Sequence, residues 1–463
     1  MYPRVIVQNF GPFEHVELEI RPLTIIVGKN SVGKSMILYL LWTLTIATPD
    51  FATLGDLIFR NYSHEKIISL YNNVFAHIMS GKAPNEAFKE LARIFIKTLP
   101  DAIAPSVKKL LHDVFVIESL QHLIQEGKSY ASIEVRGAHG AHITFSIREN
   151  ELRIYSRYLP YKSYIEHINI EVPAPRRVIF RGLSISTPYE DYLSSVTDVR
   201  GIIGALLADY VLTMFAPFFT SEEYGALLVD GRAGIARTLL KPYLSPNITK
   251  GLMLPDEQFV SLYYRLAEKL YYNQVRKDLI DPILRELGCK IESLFERGTY
   301  VIHIQTWTGK RLPFEKTPSG IRETLVVALA LASEGNPRVV FIEEPEAHLH
   351  PRAQRLLARL IARAVNELGK TVIITTHSDY IVYSLSNLVA LSGSKEKARE
   401  LGYLESEILD PDKVAVYLVK PEGCKAVVER LNVTSEGIPE DEFAEIAAEI
   451  ADERARIYAS RSS

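Results

Sequence analysis

Apolar and polar positions along the chain follow periods that change several times, and each change marks an element. The first fifty residues read strand, strand, strand, helix. "RVIVQNF", "HVELEI" and "LTIIVG" are runs of strand length, and "KSMILYLLWTL" is apolar on all sides, which predicts a buried helix. From Asp50 to about Ser129 helical spacing dominates, as in "EAFKELARIFIKTL". The period then falls to two: Ile143, Phe145 and Ile147 alternate with polar residues, "REN" makes a turn, and Leu152 and Ile154 continue beyond it, so an antiparallel meander is expected. Mostly helical spacing returns from about Asp191 to Phe295, after which Tyr300, Ile302 and Ile304 alternate up to a "TGK" turn. From Thr317 onward the pattern becomes α/β: a buried helix "ETLVVALALA", a strand "RVVFI", a helix "AQRLLARLIARAVNELG" with one apolar face, and a strand "TVIITT".

Composition narrows this only a little. A chain of 463 residues, 47% hydrophobic and 24% charged, has ample material for two or three domain-sized units of a globular protein. A net charge of -3 supplies no overall basic field, so any contact with nucleic acid has to come from local patches such as "RRVIFR", Arg176 to Arg181, which a solvated sheet face also explains. Two distant cysteines, Cys289 and Cys424, offer no disulfide framework. The start "MYPRVIVQNFG" reads as a strand and not as a signal peptide, which places the protein in the cytoplasm. The run Gly201 to Phe219 approaches the length of about 20 apolar residues that a bilayer needs. Asp209 and Pro217 interrupt it, so a buried or interface helix is expected and no membrane role.

The chemistry concentrates where apolar strands end. Gly28 to Ser35, "GKNSVGKS", fits G-x-x-x-x-G-K-[ST] with a strand before it and a helix after it. The loop Gly28, Lys29, Asn30, Ser31, Val32 and Gly33 can curl so that its N–H groups converge on phosphate oxygens at the helix start. Lys34 would reach the β and γ phosphates, and the Ser35 hydroxyl would bind Mg²⁺. "RVVFIEEPEAHLHP" sets Glu343 and Glu344 directly after a strand. Charge there needs a partner, which a phosphate-bound Mg²⁺ supplies, so Glu343 is assigned to the metal and Glu344 to the attacking water. His348 and His350 lack the spacing of a zinc site. "TVIITTHSDY" ends another strand in His377, placed to sense a γ phosphate or hold the water, with capping as the plain alternative, while Ser378 can cap the next helix. Ser319 and Gly320 in "TPSGIRE" put a hydroxyl and a close-approach backbone at a helix start, which is either a second anion site or an ordinary cap.

With these pieces in order, the sequence resembles the ABC-type ATPase heads of SMC, RecF and OLD-like proteins, most of all the OLD-like branch of AAA-type ATPases. "GKNSVGKS" is similar to the Walker A motif, "VVFIEEPEAHLHP" to Walker B and the D-loop, "PSGIRE" to a degenerate signature, and "ITTHSDYI" to the switch histidine. The resemblance implies an α/β P-loop NTPase with a mixed sheet flanked by helices, an antiparallel meander and a helical insertion lobe. Its core would comprise residues 1–46 and 297–410, with 47–296 as the lobe and 411–463 as a closing strand and amphipathic helix that completes the domain or docks a partner. It also implies a head-to-head homodimer or higher oligomer in which Lys34 of one copy holds ATP and Ser319 and Gly320 of the other contact the γ phosphate. The signature lacks its second glycine and no Q-loop glutamine is evident, so slow hydrolysis is expected.

Asp410 and Asp412 precede the strand "KVAVYLV" and do not end one, which argues against a built-in TOPRIM nuclease. Two functions follow from the resemblance. One is an ATP-dependent, DNA-associated ATPase of repair or genome maintenance. The other is a nucleotide-switched scaffold of a prokaryotic defence or toxin system that works with a separate nuclease or toxin subunit. A transporter motor ranks below both.

Overall fold

The computed structural model describes residues 2–80, 86–167, 169–174, 177–181, 210–237, 253–296 and 298–439, together with residues 207 and 453. The strands are β1 (Arg4–Phe10), β2 (Phe13–Glu19), β3 (Leu23–Gly28), β4 (Ala131–Arg136), β5 (His142–Arg148), β6 (Glu151–Tyr158), β7 (Asn169–Ala174), β8 (Arg177–Arg181) and β9 (Gly225–Leu228), followed by β10 (Cys289–Glu296), β11 (Thr299–Thr306), β12 (Arg311–Pro313), β13 (Val339–Glu343), β14 (Thr371–Thr376), β15 (Val414–Glu422) and β16 (Lys425–Leu431). The longer helices are α1 (Lys34–Ile46), α2 (Phe51–Asn61), α3 (His64–Met79), α4 (Glu86–Phe115), α5 (Tyr161–His167), α6 (Leu254–Tyr271), α7 (Lys277–Glu286), α8 (Ser319–Ala332), α9 (Pro351–Leu368), α10 (Asp379–Ala390) and α11 (Lys395–Glu400).

One mixed sheet organises the molecule. Among the described residues it has eleven strands in the order β6-β5-β4-β1-β2-β16-β15-β3-β14-β13-β9. The half from β15 to β9 is parallel, and the meander from β6 to β2 is antiparallel. The parallel strands read as nearly continuous apolar runs because both faces are covered. Ile26 of β3, Phe341 of β13 and Tyr417 of β15 point into a core shared with α1 and α4, while Ile25, Ile342 and Val416 point into a second core shared with α6, α8 and α9. Helices α1 and α8 lie under opposite faces of the sheet, which is why neither sequence shows a polar side: Trp42 and Leu44 of α1 and Val326 to Ala332 of α8 are all buried.

Several elements differ from the sequence expectation. The stretch read as mostly helical up to Phe295 contains β9 at the sheet edge and β10, which pairs with β11 along its whole length from Cys289↔Thr306 to Glu296↔Thr299. Strand β9 has four residues, too few for any period to show, and β10 follows α7 after only a short turn, so its alternation is cut short. Strand β4 extends the expected meander by one strand and carries it onto β1. The sequence expectation left the place of the C-terminal strand β15 open; it lies inside the sheet beside β3.

Residues 201–206 and 208–209 of the long apolar run lie outside the described residues, whereas residues 210–215 are helical. So do Arg176 and the side chains of residues 177–181, the basic strand read as either a phosphate contact or a solvated sheet face, and residues 440–452 and 454–463, which hold most of the C-terminal helix expected to complete the domain or dock a partner. No single helix among the described residues is long and apolar enough to cross a membrane, and α1 with α2 qualifies only as a pair bent by 63°.

The Tyr417 hydroxyl fastens β15 to the end of β2: it accepts from the Glu19 amide at 2.6 Å and donates to the Glu19 carbonyl at 3.1 Å, both in buried surroundings. Replacing it leaves a donor and an acceptor unpaired away from water. Tyr417→Phe is therefore expected to lower stability by about 1–3 kcal/mol, read as a lower urea midpoint with an unchanged slope.

Candidate functional site

Register puts the chemistry in one place. Val27 pairs with Thr376, and Thr375 pairs with Glu343, so β3, β14 and β13 leave the sheet at nearly the same level. Neighbouring strands lie about 4.8 Å apart, which brings the loop after β3, His377 after β14 and the Glu343–Glu344 turn after β13 side by side. Ligands of open α/β sheets bind at such carboxyl ends.

The loop from Gly28 to Ser35 is shaped by its glycines. Gly28 has φ +146°, and a Cβ there would run into the Val419 carbonyl of β15. Gly33 has φ +96° and would drive a Cβ to 2.7 Å from the Phe13 ring. Lys29, Asn30 and Ser31 are exposed at the rim, with Ser31 itself at φ 64°, and Val32 plugs into the core below. Lys34 and Ser35 begin α1. The buried Lys34 ammonium donates to the Gly28 carbonyl at 2.9 Å and the Lys29 carbonyl at 2.7 Å. Burial pulls its pKa down, while Glu344, Glu346 and Glu343 act in the other direction.

The carboxylates sit in different surroundings. Glu343 is 7% exposed, and its Oε2 accepts from the Tyr39 hydroxyl at 2.9 Å and the Asp230 amide at 3.0 Å. Burial and the adjacent Glu343 raise the Tyr39 pKa, so the phenol stays a donor. Since Tyr39 lies one turn beyond Ser35 on α1, the start of α1 and the end of β13 face each other. Glu344 has φ 44°, a left-handed conformation rare outside glycine. Its amide donates to the Thr375 carbonyl at 2.9 Å, and its Oε1 is 3.3 Å from His377 Nδ1. Burial raises the Glu344 pKa; His377 opposes this, and Asp230, Glu346 and Glu343 add to it.

Several residues of the site were not singled out in the sequence. Glu346 is 7% exposed; its Oε1 accepts from the Thr376 hydroxyl at 2.7 Å and the His377 amide at 3.0 Å, while its Oε2 is buried without a partner. Gln354 accepts from the Ser378 hydroxyl at 2.6 Å, and that hydroxyl also caps α10 by accepting from the Ile381 amide. Asp230, Glu344, Glu346, His348, Gln354 and His377 line an open cleft of about 560 Å³. Glu346 stands in "EEPEAHLHP" as one more acid of the turn, and nothing local in the sequence separates it from its exposed neighbour His348. His350 serves as the N-cap of α9, its Nδ1 accepting from the Arg352 amide at 3.3 Å.

Ser319 and Gly320 are set apart from the loop. They open α8 behind Pro318, and no hydrogen bond among the described residues joins them to residues 28–35. The missing Cβ of Gly320 would lie 3.1 Å from the His348 carbonyl, so the start of α8 abuts the turn that follows Glu346. The gathering of Lys34, Glu343, Glu344 and His377 and the separate position of Ser319 and Gly320 are thus both visible in one chain.

A family model described as "AAA ATPase domain" matches residues 1–139 and 262–382. The chain is 28% identical over 152 residues to a putative ABC transporter ATP-binding protein of Caldanaerobacter subterraneus, covering 32% of this chain and 26% of that protein. It is 32% identical over 100 residues to the energy-coupling factor transporter ATP-binding protein EcfA of Carboxydothermus hydrogenoformans, covering 20% and 36%. It is 25% identical over 152 residues to the methionine import ATP-binding protein MetN of Bacillus subtilis, covering 33% and 42%. The chain thus spans less than half the length of each of these relatives. Among solved structures, an SMC head bound to the C-terminal winged-helix domain of ScpA superposes with a TM-score of 0.44 at 12% identity, covering 93% of this chain and 98% of that one. The SMC head domain of Thermotoga maritima gives 0.34 at 10%, covering 94% and 100%.

The raised pKa of Glu344 makes a testable statement about stability. A carboxyl whose pKa is higher folded than unfolded favours the unfolded chain once it ionises; the penalty is absent below the unfolded value and complete above the folded one. Glu344→Gln removes it. At pH 7–8 the variant without nucleotide should melt above the parent, and the gain should vanish as pH falls below the carboxyl range, measured by calorimetry across pH.

Proposed function

The chain belongs to the AAA ATPase domain family, and from that membership we propose that it is an ATP-switched head. Two copies close on ATP held between the loop 28–35 of one and the start of α8 of the other, and hydrolysis parts them. The observation that carries this reading is the Glu343 carboxylate, buried at a strand end and held by Tyr39 and Asp230 against the helix that begins with Lys34 and Ser35. With Oε2 taken by Tyr39 and Asp230, this acid is held in a fixed direction beside Lys34 and Ser35, as a metal-binding carboxylate has to be.

In this reading Lys34 leaves the Gly28 and Lys29 carbonyls for phosphate oxygens, and the loop amides and the positive end of α1 hold the rest of the charge. The residues fit a nucleotide, since Gly28 at φ +146° and Gly33 at φ +96°, neither with room for a Cβ, let the loop backbone curl at the start of α1. Ser35 and Glu343 would hold Mg²⁺, which when bound neutralises charge developing on the phosphates. Glu344 takes a proton from water, a task its raised pKa suits. His377, 3.3 Å from Glu344, fixes the orientation of that carboxylate and of the water. Ser319 and Gly320 present a helix start without a phosphate of their own chain, which supports a role toward a second copy.

Lys34→Ala is expected to abolish ATP binding in titration calorimetry, and unchanged affinity would reject the site. Glu344→Gln should retain affinity while turnover falls about 100-fold or more. In that background ATP should double the mass seen by light scattering. Adding Ser319→Arg should block the dimer while leaving nucleotide affinity nearly intact.

A further inference from the structure

Arg232 is fully buried, in a short helical turn (Arg232–Ile235) that follows β9. A buried guanidinium has five N–H donors to satisfy, and this one spends them on three separate pieces of the site. Nη1 donates to the carbonyls of Leu228 at 3.3 Å and Val229 at 2.7 Å, at the end of β9, and to that of Glu343 at 2.7 Å. Nη2 donates to the Glu344 carbonyl at 3.0 Å. Nε donates to the Glu323 carbonyl at 3.2 Å and lies 3.0 Å from Glu323 Oε2, while Glu323 Oε1 accepts from the Ala233 amide at 2.7 Å. Glu323 is on α8, one turn beyond Ser319.

The side chain therefore joins the start of α8 to the two carbonyls beneath the Glu343–Glu344 turn. Glu344 is held at φ 44°, and a non-glycine residue persists there only when its surroundings over-determine it. The Arg232 bond to the Glu344 carbonyl and the Thr375 bond to its amide supply that constraint. A shift of α8 along its axis moves Glu323, hence Arg232, hence the carbonyl that sets the direction of the Glu344 carboxylate.

We propose that the Arg232–Glu323 pair couples the two nucleotide sites of the dimer. Contact of a partner's phosphate with Ser319 and Gly320 is passed through this pair to the Glu344 turn of the same chain, which makes Arg232 a positioning residue for hydrolysis. The inference rests on the ATP-bridged dimer proposed above and adds to it the regulation of that site.

The test compares Glu323→Gln and Arg232→Lys with the parent, each first checked for an unchanged circular dichroism spectrum. In both, ATP affinity should stay within about twofold and ATP should still drive dimer formation, while kcat falls about tenfold or more and cooperativity in ATP is lost. Unchanged kcat and cooperativity in folded variants would overturn the coupling, as would affinity, dimer formation and kcat falling together. Failure of the parent itself to bind ATP or to dimerise would reject the underlying reading instead, and it is seen before any variant is compared. Amide hydrogen exchange gives an answer even if the variants do not fold. ATP should slow exchange at residues 28–35 equally in both chains, and at 343–346 further in Glu344→Gln than when Ser319→Arg is added; equal slowing at 343–346 in both chains contradicts the proposal.

Discussion

The hydrogen-bond register of the parallel half of the sheet governs everything at the site. Because Val27 stands opposite Thr376 and Thr375 opposite Glu343, three strands release the chain at one level, and each release point carries a group that apolar strands do not need. Slipping any one strand by a residue would turn its apolar set to the wrong face and move its terminal group out of line. The two-sided core fixes that register, since Phe341 and Ile342 cannot exchange faces without leaving space in one core and overfilling the other.

What this edge collects is mutually unfavourable without a ligand. Glu343, Glu344, Glu346 and Asp230 cluster beside Lys34 and Arg232, and the fold manages the repulsion with donors placed one by one: Tyr39 and the Asp230 amide on Glu343, Thr376 and the His377 amide on Glu346, and His377 beside Glu344. The result is an array of oriented groups in which Glu343 and Glu346 are already held in direction by the fold, the kind of preorganisation on which electrostatic stabilisation rests. Backbone strain at Glu344 belongs to the same economy, concentrated where direction matters more than comfort.

Much of this was legible in the sequence because strand ends are marked by composition. "IIVGKNSVGKS", "VVFIEEPEAHLHP" and "ITTHSDY" each pass from a solid apolar run to a turn residue or charge, and the structure brings their groups together at one sheet edge. The meander was legible from a clean period of two at Ile143, Phe145 and Ile147. Other parts left no local trace. Strand β9 is four residues long and takes its strand character only from lying beside β13. The partners of Arg232, Tyr39 and Gln354 are distant in sequence, and an arginine in "DGRAG" looks the same whether it meets water or five carbonyls. Glu346 was visible as a letter but not as a contact, since only the register of β14 shows that its carboxylate lies under His377. The order of β15 in the sheet was equally hidden, because a strand late in the chain gives no sign that it will lie next to β3.

That last arrangement has a consequence for how the chain is born. Residues 23–28 leave the ribosome long before β14 at residues 371–376 and β15 at 414–422, the two strands that flank β3. Until those are made this strongly apolar segment has neither neighbour, and the glycine loop behind it has no Val419 carbonyl to close against. Contacts of such sequence separation form slowly, and unpaired strand edges are the surfaces through which nascent chains aggregate. The loop after β3 therefore acquires its shape only once β15 has been made and Val419 lies beside Gly28.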